Sequence, residues 1–335
     1  MSVLLVWVMM VACSNPDYPG IDRTNEYQRF TEMYFDVFDT ITILVGYAKS
    51  QEEFDYFSNE IIKEELHRLH QLFDRFTEYE GINNIYTINN YAGIAPVEVD
   101  PAIIEMLLLA VEAYEISGGL VNVAIGPVTD IWRDAMTSKT VPNMEDLLLA
   151  KENLNINHLI INEEMSTVFL QHEAMSLDVG SIAKGFAVEL ATQKAITAGF
   201  DSFSLSVGGD VRVGERPPSN QDAWSIGIAN PEGGDVLDVV LTTNMSVFSS
   251  GDYLRYVEVD GQRFHHIIDP RTLMPTAHHR SMTVVYPDGA MADIFSLAAF
   301  IMDSRDAKEF LESFGAQGLW MEQDGTIGFT YNWGE

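Results

Sequence analysis

The sequence has a single cysteine, few basic residues and no long hydrophobic run. One cysteine, Cys13, excludes an intrachain disulfide. The chain has 335 residues, with 19 Lys and Arg against 50 Asp and Glu, and its formal net charge is −31. Such a surface repels a phosphate backbone, which argues against nucleic-acid binding. Any bound phosphate would need a divalent cation or a local basic pocket.

The N-terminus carries a short apolar segment that ends at the cysteine. Leu4–Ala12 is apolar and too short to span a bilayer, and small Ala12 precedes Cys13, as in a bacterial lipoprotein signal. We predict a signal over residues 1–13 and a polar tether over residues 14–26. Lipid on Cys13 would anchor the protein to the extracytoplasmic side of the cell membrane. No Lys or Arg precedes the apolar run, so a hydrophobic N-terminus without signal function is the alternative.

The hydrophobic pattern of residues 27–335 predicts one α+β domain. Apolar residues alternate over residues 30–48 and repeatedly from residue 203 onward, as in strands. Helical spacing is found over residues 57–76, 101–117, 182–198 and 290–302, whereas residues 77–95 are predicted as a loop. Strands and helices do not alternate regularly, so a doubly wound fold is not expected. No Pro/Ser-rich linker or internal repeat divides the domain.

The most informative segment is Ser176–Gly185, which reads SLDVGSIAKG. A short apolar strand leads Asp178 to a glycine turn, and a helix follows with Lys184 in its first turn. Helix N-termini bind anions, the acid can hold a cation or a ligand hydroxyl, and the lysine can hold a phosphate. The segment therefore predicts a site for a phosphorylated ligand and its metal ion. An ordinary strand–turn–helix junction with a surface lysine is the alternative.

Two further segments contain turns and possible proton acceptors. In SVGGD, residues 206–210, Gly208 and Gly209 allow the backbone to approach a ligand closely. The segment SSGD ends at Asp252 and is expected to begin a hairpin, whose return strand carries His265 and His266. Adjacent residues on a strand point to opposite faces, so one histidine can face a cleft and act as a general base.

The segment ADIFSLAAF, residues 292–300, predicts an apolar helix with a polar pair. Asp293 and Ser296 lie one turn apart on one face of this helix. A carboxylate and a hydroxyl on a buried helix are costly unless they bind something. Hard oxygen ligands of this kind are those that Mg²⁺ prefers.

Taken in order, SLDVGSIAKG, SVGGD, SSGDY, HHIIDPRTLMP and ADIFSLAAF resemble the ApbE family, the FAD:protein FMN transferases. The resemblance covers nearly all of residues 27–335 and implies a single domain of two mixed lobes around a deep cleft. It implies Mg²⁺-dependent cleavage of FAD, release of AMP and attachment of FMN to a Thr or Ser hydroxyl. The acceptor would be a partner protein, usually a flavin subunit of a membrane redox complex.

The resemblance also implies roles for individual residues. The metal would be held by Ser181, Asp293 and Ser296. One of His265 and His266, or the acid Asp252, would accept the proton of the acceptor hydroxyl. The expected FAD contacts are Tyr79 in RFTEY, Asn122, Asp178, Lys184, Gly208, Gly209, Ser250 and Ile267.

Some positions depart from the pattern of the family. Phe38-Asp39-Thr40 stands where members often have Met-Gly-Thr, Asn122 and Ala124 replace an Asp and a Thr, and Leu297 replaces a Thr beside the metal carboxylate. Water can replace a neutral metal ligand, because Mg²⁺ commonly keeps several waters. Two alternatives therefore stay open: hydrolysis of FAD to FMN and AMP, and FAD binding by a lipoprotein without chemistry.

Overall fold

The computed structural model describes residues 26–219, 221–253 and 255–334. The predicted signal with Cys13, and the predicted tether up to residue 25, lie outside the described residues. The lipid anchor therefore stays a prediction. No helix within the described ranges is both long enough and apolar enough to cross a bilayer.

The strands form one large sheet and three small ones, and all pairings between them are antiparallel. In chain order the strands are β1 Gln28–Val37, β2 Thr40–Ala48, β3 Val97–Glu98, β4 Leu159–Asn162, β5 Thr167–Leu170, β6 Phe203–Val207, β7 Asp210–Val213, β8 Trp224–Ile228, β9 Asp238–Thr242, β10 Ser246–Gly251, β11 Tyr256–Val259, β12 Gln262–His265, β13 His279–Tyr286, β14 Gln317–Glu322 and β15 Ile327–Phe329. The large sheet has the order β1-β2-β6-β7-β10-β13-β14-β15. The small sheets are β3-β5-β4 and the hairpins β8-β9 and β11-β12.

The helices are α1 Gln51–Asp55, α2 Glu64–Phe73, α3 Ile85–Asn90, α4 Pro101–Ile116, α5 Gly126–Ser138, α6 Met144–Lys151, α7 Ala183–Thr197, α8 Gly289–Ile301 and α9 Ser304–Ser313. A π-helical stretch, Tyr56–Lys63, joins α1 to α2. Single 3₁₀ turns occupy Val123–Ile125 and Ile156–His158. Asp100 caps α4 by accepting a hydrogen bond from the amide of Ala102, and Pro101 provides its first residue.

Apolar side chains on the two faces of the large sheet belong to two different cores. Leu44 of β2 packs in the main core, which also contains the buried residues of α2, α7 and α8. The next residue, Val45, points to the opposite face and packs under the β8-β9 hairpin with Trp224. A third core with Trp132 and Phe264 joins α5 to the β11-β12 hairpin. The polar ends of α7, α8 and β12 are thereby fixed around one region.

The predicted α+β class is confirmed, as are the strands of residues 30–48 and the helices α4, α7 and α8. The loop predicted for residues 77–95 was wrong in one part, because it contains α3. Asn84 caps this helix by accepting from the amide of Thr87 at 3.1 Å, and Thr87 Oγ1 accepts from the amide of Asn84 at 3.3 Å. The hairpin predicted after SSGD is present as β11-β12 with His265 on its return strand, whereas the first three residues of SSGD end β10, a central strand of the large sheet.

Candidate active site

Asp293 on α8 contacts the first turn of α7 at Gly185. Its Oδ2 accepts a hydrogen bond from the Gly185 amide at 2.8 Å. A Cβ on residue 185 would lie 2.5 Å from the Cβ of Asp293 and 2.7 Å from the carbonyl oxygen of Gly289, so only glycine permits this approach of the two helices. Burial raises the pKa of Asp293, and the nearby charge of Lys184 partly offsets that effect. The desolvated carboxylate is therefore stabilised by any cation that reaches it.

Lys184 lies beside Asp293 and is held in place by a second carboxylate. Its ammonium contacts Asp210 and lies 5.6 Å from the ring centroid of Phe248. The other oxygen of Asp210 accepts from the amide of Ser249 at 2.8 Å. Burial lowers the pKa of Lys184, although its side chain is still 29% exposed. Lys184 thus remains accessible to a ligand.

Two hydroxyl groups meet next to Asp293. Ser250 Oγ on β10 lies 3.0 Å from Ser296 Oγ on α8, and Ser296 donates to the carbonyl oxygen of Asp293 at 3.0 Å. A third hydroxyl, Ser181 Oγ, is buried without a hydrogen-bond partner among the described residues. Other buried hydroxyls share this state, but Ser181 lies just before the first turn of α7, which makes its oxygen a candidate for contact with a ligand or a metal ion.

The two adjacent histidines have different hydrogen-bonding states. His265 is buried, its Nε2 lies 2.7 Å from the carbonyl oxygen of Thr276, and its Nδ1 accepts from the amide of Ile267 at 3.2 Å. Because a carbonyl oxygen only accepts, Nε2 of His265 must carry the proton. Burial lowers the pKa of this histidine and keeps it neutral. With both nitrogens engaged, His265 is a structural residue and is unsuited to accept a proton from a ligand.

His266 instead presents a free nitrogen. Its Nδ1 donates to the carbonyl oxygen of Arg255 at 3.3 Å, and within the described ranges no hydrogen bond engages Nε2. The His266 side chain keeps access to solvent, but the protein around the ring partly desolvates it. This desolvation, together with the charge of Arg255, lowers the pKa of His266 to about 4. At neutral pH the ring is therefore neutral, with the lone pair of Nε2 open to a ligand proton.

Asp252, the third predicted proton acceptor, is instead engaged in ion pairs. The carboxylate is 3% exposed, lies 3.3 Å from Nε of Arg280 and 3.7 Å from Nη1 of Arg263, and accepts from Gln323 at 3.2 Å. The geometry therefore favours a role for Asp252 in fixing the β10 end against β13.

Asp178 is enclosed by basic and hydroxyl side chains. It lies 2.7 Å from Nη1 of Arg75, accepts from Thr129 Oγ1 at 2.7 Å, and accepts from the amide of Gly180 at 3.1 Å. Burial alone would raise the pKa of Asp178, but the Arg75 guanidinium and these hydrogen bonds hold it below its ordinary value. Sequence reasoning missed Arg75 and Thr129. The arginine that opens RFTEY was the available signal for one of them.

Arg255 is a further site residue that the motifs did not reveal. Its charge lowers the pKa of both Lys184 and His266, so it faces the same region as these two groups. The side chain is exposed, and it makes no ion pair with a described residue. Its position three residues after Asp252, within the segment SSGDYLR, was the signal that could have identified it.

The remaining predicted FAD contacts differ in their accessibility. Tyr79 is half-buried and donates to Asp74 Oδ2 at 3.0 Å. Gly208 and Gly209, at φ +65° and +100°, form the turn between β6 and β7. Ile267 is 6% exposed and its side chain belongs to the main core, so only its backbone is suited to a ligand contact.

Asn122 caps the 3₁₀ turn that precedes α5. Its Oδ1 accepts from the amide of Ala124 and its Nδ2 donates to the carbonyl oxygen of Leu154, both at 2.9 Å. The residue also lines a cavity of about 470 Å³ together with Lys151 and Arg271. One of its two amide N–H groups and its side-chain oxygen are thus engaged within the protein.

Comparison with known proteins agrees with the fold and the motifs. The model of the ApbE family matches residues 35–320. The chain belongs to the ApbE family. A relative from Klebsiella pneumoniae (strain 342), named FAD:protein FMN transferase, is 32% identical over 241 residues, which cover 70% of this chain and 74% of the relative. A relative of the same name from Treponema pallidum (strain Nichols) is 31% identical over 254 residues, or 71% of this chain and 70% of the relative.

Solved ApbE structures share the whole architecture. The ApbE protein of Thermotoga maritima superimposes with a TM-score of 0.81 at 28% identity, covering 91% of this chain and 97% of that chain. The flavin transferase ApbE of Vibrio cholerae has a TM-score of 0.76 at 19% identity, with 91% and 97% coverage, and at this identity it shows the fold alone. The expectation of a single ApbE-like domain is confirmed.

The departures from the ApbE pattern have local structural counterparts. Phe38 and Asp39 have φ of +52° and +51°, a left-handed turn between β1 and β2 that glycine adopts more easily. Thr40 follows this turn, and a Cβ on Gly208 would lie 2.8 Å from its Oγ1. Leu297 is partly buried and packs against the main core. The Asp293 and Ser296 contacts are present alongside these differences.

The residues present fit Mg²⁺ in one particular way. Within residues 26–219, 221–253 and 255–334, no three His, Cys, Asp or Glu side chains converge on a common metal position. Asp293 supplies one carboxylate, and Ser181 supplies a buried hydroxyl that lacks a partner. Mg²⁺ is usually held by one or two carboxylates, several waters and the phosphates of a substrate. The donor set therefore suits a magnesium ion shared with a diphosphate.

Proposed function

We propose that this protein is an FAD:protein FMN transferase that moves FMN from FAD to a Thr or Ser hydroxyl of an acceptor protein, with release of AMP. The observation that carries the proposal is the buried Asp293 carboxylate bound to the first turn of α7 beside Lys184, with Arg255 close enough for its charge to act on both Lys184 and His266. Cations around one region of a chain with a net charge of −31 mark an anion site. The names of the relatives support the same activity.

The basic groups are suited to bind the diphosphate of FAD. Lys184 stands in the first turn of α7, where helix N–H groups also attract anions. Arg255 adds a second positive charge from another segment. The protein field lowers the pKa of Lys184, and a bound diphosphate would raise it again and favour the charged ammonium.

Asp293, Ser181 and Ser296 are the residues that would hold Mg²⁺. When bound, the ion would act as a Lewis acid that reduces the negative charge on the phosphoryl oxygens. Burial raises the pKa of Asp293 despite the opposing charge of Lys184, which agrees with a cation partner, because the buried carboxylate lacks a fully compensating charge. Leu297 provides no oxygen here, and water can take its place.

His266 is the proposed general base. Its Nε2 accepts the proton of the acceptor hydroxyl as the oxygen forms a bond to the FMN phosphorus. The bond between that phosphorus and the bridging oxygen breaks, and AMP leaves with the electron pair. The hydrogen bond from Nδ1 to the Arg255 carbonyl oxygen fixes the tautomer that leaves Nε2 unprotonated.

The acceptor and the cellular location complete the proposal. A lipid on Cys13 would place the enzyme at the outer side of the cell membrane, where flavin subunits of membrane redox complexes could serve as acceptors. The test is to incubate purified protein, FAD and Mg²⁺ with a protein that carries a Thr-containing flavin-attachment segment. Flavin fluorescence that stays with the acceptor in a denaturing gel, with equimolar AMP, is the expected result.

The same assay separates the alternatives. AMP release without an acceptor protein would indicate FAD hydrolysis. Tight FAD binding without Mg²⁺-dependent turnover, with any acceptor offered, would indicate a flavin-binding lipoprotein and would contradict the proposed transfer.

A further inference from the structure

Four charged side chains form a closed ring beside the candidate site, in which cations and anions alternate. Arg75 Nη1 lies 2.7 Å from Asp178, and Arg75 Nη2 lies 2.8 Å from Asp130. Arg133 Nη1 lies 2.6 Å from Asp130, and Arg133 Nη2 closes the ring at 3.8 Å from Asp178. The formal charges sum to zero, so the ring compensates its own buried members.

The ring connects three separate parts of the chain. Arg75 follows α2, Asp130 and Arg133 lie on α5, and Asp178 lies in the segment that leads to α7. Thr129 adds to the connection, because its Oγ1 contacts both Arg75, at 3.2 Å, and Asp178, at 2.7 Å. The element before α7 is therefore attached to two elements that are distant in sequence.

The attached segment includes the groups that the proposed function requires. The amide of Asp178 donates to the carbonyl oxygen of Val123 at 2.8 Å. The side chain of Asn89 binds both backbone groups of Leu177, the residue before Asp178. It accepts from the Leu177 amide at 2.7 Å and donates to the Leu177 carbonyl oxygen at 3.0 Å. Three residues beyond Asp178 lies Ser181 with its unpartnered hydroxyl, followed by the first turn of α7.

The oxygens of Asp178 are directed toward the protein. Oδ2 accepts hydrogen bonds from Arg75 and Thr129, and Oδ1 accepts one from the amide of Gly180. The Arg75 side chain is only 8% exposed, so it requires nearby anions to be stable there. An Asp178 that left the ring to bind a ligand hydroxyl would leave this buried guanidinium with Asp130 as its remaining carboxylate.

We propose that Asp178 is a positioning residue, held by Arg75, Asp130 and Arg133, and that this charge ring fixes residues 178–184 in the geometry that binds FAD. The inference rests on the proposed function for the identity of the ligand. It differs from the role that the family resemblance implied, in which Asp178 contacts FAD directly. Asp130 and Arg133 would then affect FAD binding without touching it.

The test measures FAD affinity by flavin fluorescence titration in the presence of Mg²⁺, without an acceptor protein. Asp130→Asn removes one ring charge, and Asp134→Asn is the matched control, since Asp134 is exposed on the same helix and makes no ion pair with a described residue. We expect Asp130→Asn to weaken FAD binding about tenfold, as loss of one charge-assisted interaction would. We expect the control to stay within twofold of wild type.

A second variant and a double mutant decide between positioning and direct contact. Arg133→Gln changes a side chain that is 42% exposed, so the fold should tolerate it. It should weaken FAD binding as Asp130→Asn does, and it keeps the test decisive if Asp130→Asn folds poorly. In steady state both should raise KM for FAD and leave kcat unchanged. If Asp178 acts through the ring, Arg133→Gln combined with Asp178→Asn should bind FAD no more weakly than Asp178→Asn alone, since Arg75 keeps Asp130 as its partner in both variants.

Two results would overturn the inference. One is FAD affinity in Asp130→Asn and Arg133→Gln that matches the Asp134→Asn control. The other is full additivity in the double mutant, which would indicate a direct contact of Asp178 with FAD. Because binding is measured without an acceptor, a wild-type protein that binds FAD but transfers no FMN would contradict the proposed function and leave this test intact.

Discussion

The imidazole of His266 donates from Nδ1 to the carbonyl oxygen of Arg255 at 3.3 Å, while the guanidinium of the same arginine faces the ring as a positive charge. The first contact selects the tautomer with a free Nε2, and desolvation of the ring together with the second keeps it neutral. The backbone carbonyl of Arg255 therefore orients His266 as a proton acceptor, and its side chain supplies positive charge for an anion. The neighbouring His265 is neutral as well but has no free nitrogen, because both of its nitrogens are used.

Replacing His266 should remove catalysis and preserve the fold. His266→Asn is expected to lower kcat for FMN transfer by about 10²–10⁴-fold, the usual contribution of a general base. FAD affinity should change little, since the ring is neutral in the free protein. Rates of gel-fluorescent labelling and fluorescence titration with FAD measure the two effects.

His265→Asn is the comparison for that experiment. It removes a buried ring that contacts Phe300 and the carbonyl oxygen of Thr276, so its main effect should be a lower free energy of unfolding, by about 1–3 kcal/mol. Equal losses of kcat in both variants at temperatures where both are folded would contradict the assignment of His266 as the base.

The pH dependence of transfer should show two different acid limbs. The pKa of His266 is about 4 in the free protein, so kcat/KM should fall only below pH 5. Bound diphosphate places negative charge near the ring and raises its pKa, so the acid limb of kcat should lie at higher pH. An acid limb of kcat/KM at or above pH 6.5, the ordinary histidine value, would contradict the lowered pKa.

Stability should also depend on pH through three histidines whose rings are desolvated in the folded protein. The pKa values of His265, His266 and His279 are all lowered by desolvation. Each unfolded imidazole therefore takes up a proton at a higher pH than the folded one. The free energy of unfolding should be at its full value above pH 6.5 and fall as the pH drops toward 4. Urea denaturation at fixed pH values would measure this slope, and His279→Gln should reduce it.

Asp293→Asn should separate metal binding from folding. The amide keeps an oxygen for the Gly185 N–H but removes the charge that would hold Mg²⁺. We expect the apparent Mg²⁺ affinity to fall at least tenfold and the transfer rate about 10²-fold. Because burial raises the pKa of Asp293, loss of its charge should not lower stability. Glu309→Gln, the same chemical change at an exposed residue of α9, is the control, and unchanged Mg²⁺ dependence in Asp293→Asn would refute the metal assignment.

The close contact of α7 and α8 predicts a measurable cost for one methyl group. In Gly185→Ala the new Cβ would lie 2.5 Å from the Asp293 Cβ, so the helices must separate. Overpacking of this kind costs about 1–3 kcal/mol of unfolding free energy. In Gly180→Ala the new Cβ would meet only Asp178 Oδ1 at 3.2 Å, and the loss should be smaller. Chemical denaturation of both variants checks the difference.

The sequence motifs predicted the parts of the site that are continuous in the chain. Lys184 and Asp293 were assigned to one site, and the structure brings them together through Gly185. The charge ring could not be predicted, because α5 was not recognised: only four of its residues are buried, Gly126, Val128, Trp132 and Ala135, and this pattern is sparse. Strand alternation showed that His265 and His266 face opposite ways, but which one lies in the core depends on tertiary packing.

Asn122 gives a physical reason for one departure from the family pattern, and this reason can be tested. Its Nδ2 donates to the carbonyl oxygen of Leu154, a contact that an aspartate cannot make. Asn122→Asp would set a carboxylate oxygen against that carbonyl in a buried position, while Oδ1 could still accept from Ala124. We expect the free energy of unfolding at pH 7 to fall by about 1–3 kcal/mol, the cost of an unsatisfied buried group. The loss should shrink at pH 4, where a protonated carboxyl can donate again, and a loss that is equal at both pH values would show that the Leu154 contact is not its cause.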